Sequence, residues 1–186
     1  MHALKSLPIL TLIVLVAAPA HGQFGGGLNL SAAASFDMPL GDLDKDAKPG
    51  FGILIRSEGR RSGAWGLRTG IAFDRFGGKG EIDNLQMLTF LGGELVHHSE
   101  PGWYQFAGIG FYQSRTAVRP EALQQGLTAE SITGRVNGGF DFGFQAGVGI
   151  NYTIGDTHTF LEFGFVNVLT TGRTTSWVPI RLGIRL

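Results

Sequence analysis

The sequence predicts an all-β chain: eight antiparallel strands closed into an up-and-down transmembrane β-barrel. Three observations predict it. Apolar and polar residues alternate with period two in eight separate segments, a pattern no helix gives. Charged residues make up only 16% of the 186 residues, whereas a soluble surface carries roughly 25–35%. Beyond the N-terminus no apolar run approaches the about 20 residues that a membrane-spanning helix needs. Thirty glycines and 11% aromatic residues fit the same class.

The chain opens with a secretory leader. His2 and Lys5 form a short polar or basic start, Leu7 to Ala18 is an apolar run too short to anchor, and Ala18-Pro19-Ala20 offers a small-x-small cleavage site. Residues 1–22 are therefore expected to be a cleaved signal peptide and residues 23–186 a single barrel domain. There is no cysteine, which excludes a lipoprotein signal, disulfides, thiolate chemistry and Cys-ligated metals. With Lys5 removed, fourteen basic residues face fifteen acidic ones, a balance that argues against nucleic acid as a partner.

The strands follow in order. Leu28 to Met38 sets Leu28, Leu30, Ala32, Ala34, Phe36 and Met38 against Asn29, Ser31, Ala33, Ser35 and Asp37. Phe51 to Arg56 is a weaker member. Trp65, Leu67, Thr69, Ile71 and Phe73 oppose Gly66, Arg68, Gly70, Ala72 and Asp74. Leu85 to Val96 and Trp103 to Ser114 follow. The clearest alternation is Phe140 to Tyr152, with Phe140, Phe142, Phe144, Ala146, Val148, Ile150 and Tyr152 on one face. Thr159 to Leu169 and the closing segment, with Val178, Ile180, Leu182, Ile184 and Leu186 on its apolar face, make eight. Each is near the roughly 9–11 residues of a tilted transmembrane strand.

The connections alternate in length. Ser57–Gly63, His97–Gly102 and Gly155–His158 read as short turns, while Gly41–Gly50, Phe76–Asn84 and Thr116–Asn137 are longer. Thr170–Ser176 is a short loop on the long-loop side. Short periplasmic turns opposite longer external loops are the plan of an outer-membrane barrel. Arg119 to Gly126, with an early Pro and a closing Gly, has the spacing of a short surface helix in the longest loop.

The polar faces decide which way the cylinder is turned. They carry Gly, Ala, Ser, Asn and single charges of both signs, not the lysines and glutamates of a wetted surface. Such faces suit a crowded lumen, where glycine makes room for larger side chains. Arg56, Arg68, Asp74, Glu94, Glu162, Arg181 and Arg185 fall on the inward faces. Buried charges must be paired, so an interior ion network is expected in place of an open channel. Phe140, Phe142, Phe144, Val148, Ile150, Val178, Ile180, Leu182, Ile184 and Leu186 are expected to face lipid. Trp65, Trp103, Tyr152 and Trp177, near strand ends, are the candidates for interfacial aromatic girdles.

Signal, strand number and closing strand together resemble the small eight-stranded OmpA/OmpX-like outer-membrane β-barrel family, over essentially residues 24–186. The resemblance implies a monomer in the outer membrane, in contact with outer-membrane lipid and lipopolysaccharide. It also implies that the barrel-assembly machinery reads the last strand during insertion. The family usually ends in Phe, and this sequence ends in Leu186. No cofactor is implied.

Candidate chemistry is sparse. His97-His98-Ser99 places His97 and Ser99 at the His-x-Ser spacing of lipid A deacylase barrels, in which the His raises the nucleophilicity of the Ser hydroxyl. The nearest carboxylate is the adjoining Glu100, and the turn is expected at the periplasmic rim, far from the outer leaflet. The turns holding His97, His98 and His158 should lie near each other and could form a weak metal or protonation-sensitive rim. Gly77-Gly78-Lys79-Gly80 lacks the Gly-Lys-Ser/Thr ending of a phosphate loop. The expected role is therefore structural or surface-interacting through external loops and not enzymatic. A lipid-modifying enzyme and a narrow passive pore are the alternatives.

Overall fold

The computed structural model describes residues 29–99, 102–133, 138–170 and 174–186. The leader, Glu100 and Pro101 lie outside the described residues. The eight strands are β1 (Asn29–Leu40), β2 (Ala47–Ser62), β3 (Trp65–Gly78), β4 (Ile82–His98), β5 (Trp103–Val118), β6 (Phe140–Ile154), β7 (Thr157–Leu169) and β8 (Thr174–Arg185). They form one closed antiparallel barrel in sequence order. Closure is made by β1 against β8, from Ser31↔Arg185 to Leu40↔Ser176. Sealing the sheet leaves no unpaired edge, as a bilayer requires, since lipid offers no hydrogen bonds to backbone groups.

Several strands outrun their sequence limits. The stretch Ser57–Gly63 reads as a turn because it is rich in Gly and Ser, yet β2 continues through it and pairs with β3, Glu58 opposite Arg68. The turn shrinks to Gly63 and Ala64, and Gly63 takes the left-handed φ of 53° that glycine tolerates best. β4 likewise runs on to His98, pairing Trp65 with His97. The glycine pair Gly92-Gly93 in β4 marks a register shift against β5 between Leu91 and Gly93. A bulge of one residue exchanges the faces of everything beyond it. Before it Leu85, Met87, Thr89 and Leu91 are buried; after it Glu94 and Val96 are.

Three short helices sit on the long-loop side: α1 (Asp42–Asp46), α2 (Pro120–Gln124) and α3 (Ala129–Thr133). α2 starts with Pro120 and is followed by Gly126 at φ 77°, within the stretch Arg119 to Gly126. α1 has a packing task. Its Leu43 is fully buried and joins Ala47, Phe76, Leu85, Met87, Tyr112, Val166, Val168 and Trp177 in an apolar cluster filling the outer half of the barrel.

Trp177 corrects an expectation. Placed by strand-end position among the interfacial girdle, it is in fact 1% exposed and points inward. Its ring packs edge-on between Phe76 and Tyr112, with both centroids 6.0 Å away. The cause is parity: Trp177 shares a face with Pro179, Arg181 and Gly183, all buried, while Leu182 and Ile184 on the other face are exposed.

Candidate functional site: the ion-filled lumen

Inward positions on successive strands stack charges against one another across the short-turn half of the barrel. Arg68 of β3 is the hub. Its Nε donates to Glu58 Oε2 at 3.0 Å, and its Nη1 donates to Glu162 Oε1 at 3.0 Å and to Glu94 Oε2 at 3.3 Å. Glu162 of β7 is the second hub. It accepts from both guanidinium nitrogens of Arg56, at 2.9 and 2.5 Å, and from the Tyr104 hydroxyl at 2.8 Å. Arg181 approaches the same carboxylate at 3.8 Å. Gln145 of β6 closes a loop by donating to Glu94 at 2.8 Å and accepting from Arg181 at 3.3 Å. Arg185 reaches Glu58 at 3.6 Å from its half-buried position. Every strand except β1 contributes a member.

Arg68, Glu94 and Glu162 are fully buried. Removing such ions from water is costly, so the arrangement persists only because each charge meets an opposite charge in hydrogen-bonding geometry. Aromatic faces add to this. The Arg56 guanidinium lies 4.7 Å from the Phe160 ring centroid, and that of Arg68 lies 4.7 Å from Tyr104 and 5.9 Å from Phe106. Glycines give these side chains their room. A Cβ on Gly108 would come within 2.8 Å of Glu94 Cβ, one on Gly66 within 2.9 Å of Glu58 Oε1, and one on Gly143 within 2.8 Å of Tyr112 Cε2.

Asp74 stands apart from the arginine cluster. Ser35 of β1 donates to Asp37 Oδ2 at 3.1 Å and lies 3.5 Å from Asp74 Oδ1, so two buried acids share one hydroxyl. This is how β1, which has no place in the arginine cluster, engages the lumen. The charges on the inward faces do not point to four further members, Glu58, His98, Tyr104 and Gln145. Ser57–Gly63, which holds Glu58, reads as a turn, and His98 reads only as part of the histidine rim; the structure brings the two together, His98 Nε2 lying 2.6 Å from Glu58 Oε1. The signal was available for Glu58, because it continues the inward parity of Leu54 and Arg56.

His97 points the other way, its ring centroid 4.7 Å from that of exposed Trp65. Ser99 uses its backbone N–H to reach the Trp103 carbonyl at 2.7 Å. Among the described residues no hydrogen bond joins His97 to Ser99, and Glu100 lies outside them. His158 contacts Thr153 across its own hairpin at 3.2 Å. No group of three or more His, Asp or Glu able to hold a metal occurs among the described residues, so the histidine rim does not assemble as a metal site.

On the outside, Phe140 (64% exposed), Phe142, Phe144, Val148, Leu182, Ile184 and Leu186 are exposed, while Ile150, Val178 and Ile180 share their parity and are half-buried. Trp65, Trp103 and Tyr152 are exposed as well. The outer surface is thus apolar and the interior ionic, an arrangement stable only in a lipid bilayer.

No family model and no curated protein matches the sequence. Solved structures do match. The backbone structure of Ail from Yersinia pestis in a phospholipid bilayer nanodisc aligns at a TM-score of 0.54 and 12% identity, over 86% of this chain and 100% of that one. Ail in complex with the heparin analogue sucrose octasulfate aligns at 0.50 and 14%, over 86% and 97%. Neisserial surface protein A aligns at 0.49 and 13%, over 87% and 97%. At such identities the likeness is one of fold. The chain is an eight-stranded antiparallel transmembrane β-barrel with the fold of the small OmpA/OmpX-like outer-membrane proteins.

Proposed function

We propose that this protein is exported by the leader in residues 1–22, is inserted by the barrel-assembly machinery, and stands in the outer membrane as a plugged monomer. Its role is structural or surface-interacting, through its external loops. The observation that carries this reading is the filled lumen: an ion cluster drawn from seven strands across the periplasmic half, and Leu43 with its aromatic neighbours across the outer half. Eight strands enclose just enough space for side chains such as these, which supports a plug over a water-wide path.

The external side is built to present a fixed surface. The α1 loop is tied to the β3–β4 connection by Lys79, whose backbone N–H donates to Asp46 O at 2.9 Å and whose ammonium lies 3.0 Å from Asp44 Oδ1. Arg119 donates from its backbone to Glu81 O at 2.8 Å, anchoring the start of the longest loop. Loops fixed on a rigid scaffold are where recognition resides in many folds. The same fold serves Ail, the attachment invasion locus protein, which has been crystallised with a heparin analogue.

Planar-bilayer recording tests the plugged lumen. The refolded protein is expected to give no stable unitary conductance, and regular channel steps would overturn the reading in favour of a pore. Mass spectrometry of lipid A from expressing cells tests the enzyme alternative: unchanged acylation is expected, and loss of an acyl chain that depends on Ser99 would overturn it.

A further inference from the structure

The lipid-facing surface is not charge-free, and among the described residues its exposed arginines lie on one wall. Outward positions of β6, β7, β8 and β1 carry no Lys, Arg, Asp or Glu among the described residues. On the opposite wall, Arg75 of β3 and Arg115 of β5 are exposed on the outer face near the external ends of their strands. The register aligns them: Arg75 pairs with Gln86, and Gln86 pairs with Arg115. The two arginines therefore flank Gln86 in one row perpendicular to the strands, two strand spacings or about 9.6 Å apart at the backbone. Exposed Lys48 lies one step further out, where a Cβ built on Gly77 would meet its Cβ at 3.6 Å.

Height identifies what this row meets. Trp65 and Trp103, each about half exposed, mark the periplasmic interface on the same two strands. Arg75 lies ten residues beyond Trp65, and Arg115 twelve beyond Trp103. At about 3.3 Å per residue and a tilt of about 40°, those separations correspond to roughly 25 and 30 Å along the membrane normal. The apolar band of such barrels is about 25 Å tall. Between the two levels the same wall is apolar, with Phe73 beside Leu88 and Ile71 beside Phe90, which in turn pairs with Phe111. The arginine row thus sits where hydrocarbon gives way to the outer-leaflet head groups. β2 to β5 run 14 to 17 residues, more than a bilayer needs, so this wall also stands above that boundary.

We propose that Arg75 and Arg115, with Gln86 between them and Lys48 above, form a binding site for a phosphate of an outer-leaflet glycolipid, on the membrane-facing wall of β2 to β5. The inference rests on the outer-membrane orientation proposed above. Guanidinium groups clasp phosphate through paired N–H donors. At the head-group level the leaflet presents its phosphates to this face at high local concentration, which favours a lipid phosphate over a soluble anion. Asp83, exposed three residues beyond Gln86 on β4, accepts from the Asn84 side chain at 2.7 Å.

The test is native mass spectrometry of protein refolded in detergent and titrated with diphosphoryl lipid A. Wild type and the Lys79→Gln control are expected to retain one lipid A per chain, and Arg75→Gln/Arg115→Gln to bind about tenfold more weakly or worse. Arg75→Lys/Arg115→Lys, which keeps the charge, should lie between them. Three results would each overturn the site: undiminished binding by the double variant, equal binding of dephosphorylated lipid A by wild type, or displacement of lipid A by equimolar inorganic phosphate. Unboiled gel migration is read on every sample. A folded variant that keeps its lipid counts against this site alone, whereas a wild type that never shows the folded band counts against the barrel.

Discussion

Glu162→Gln is nearly isosteric, and it removes only the charge on which four donors converge. Two N–H groups of Arg56, one of Arg68 and the hydroxyl of Tyr104 lie between 2.5 and 3.0 Å from its two oxygens, in a site with no solvent exposure. A hydrogen bond to a charged group contributes about 1.5–3 kcal/mol, against about 0.5–1.5 kcal/mol for a neutral one. Four bonds weakened by about 1 kcal/mol each come to about 4 kcal/mol. That agrees with the about 3–5 kcal/mol that follows from removing one partner of a buried pair. The glutamine amide also turns two donors toward guanidinium groups that are donors themselves. Urea titration in lipid vesicles, followed by tryptophan fluorescence and unboiled gel migration, would read this as a midpoint lowered by about 2 M, for a slope of about 2 kcal/mol/M. Arg56→Met/Glu162→Met should be less damaged than the two single changes summed, by about 0.5–3 kcal/mol of coupling. A midpoint within about 0.5 M of wild type for Glu162→Gln would refute the claim that the ion cluster fastens the barrel.

Further outcomes follow from the same geometry. Trp177→Ala empties the outer-half cluster and should cost about 3–5 kcal/mol, whereas Trp65→Ala at the lipid interface should cost under about 1 kcal/mol in the same titration. With Trp65 and Trp103 changed to Phe, the remaining Trp177 fluorescence should resist quenching by brominated acyl chains; strong quenching would put it back in the girdle. Gly149→Ala brings a Cβ to about 2.5 Å from the Tyr104 hydroxyl and should cost about 1–3 kcal/mol, with loss of near-ultraviolet circular dichroism. His98→Ala should destabilise by about 1–3 kcal/mol because Glu58 loses a buried partner, while His97→Ala should change stability by under about 1 kcal/mol. Equal effects at the two positions would contradict their opposite facing.

Alternation made the barrel legible. Each outward row of Phe, Ile and Leu is visible without a structure, and so are the inward positions of Arg56, Arg68, Glu162 and Arg181, because a strand has only two faces. What alternation does not reveal has specific causes. Glu58 sits in a run of Ser, Gly and Arg whose composition suits a turn, and only pairing across to Arg68 shows that the strand continues. His98 is inward because the Gly92-Gly93 bulge reset the parity of β4, a shift that strict alternation from Leu85 does not contain. Trp177 differs for the opposite reason: its nearness to the strand end suggests the girdle, whereas its parity with Arg181 turns it inward. The partners themselves, Arg56 on Glu162 or Gln145 between Glu94 and Arg181, depend on how far each strand is shifted against the next. Composition and spacing along one strand carry no information on that shift.

Because the chain has no cysteine, single-cysteine spin labelling is clean, and a scan along β6 tests the orientation on which all of this rests. Labels at Phe142, Phe144, Ala146 and Val148, in protein reconstituted in bilayers, are expected to show high access to oxygen and low access to a water-soluble nickel relaxant. The label at Gln145 is expected to be inaccessible to both. An inverted pattern, with the Phe144 row sheltered and the Gln145 position open to solvent or lipid, would contradict a barrel that is apolar outside and ionic within.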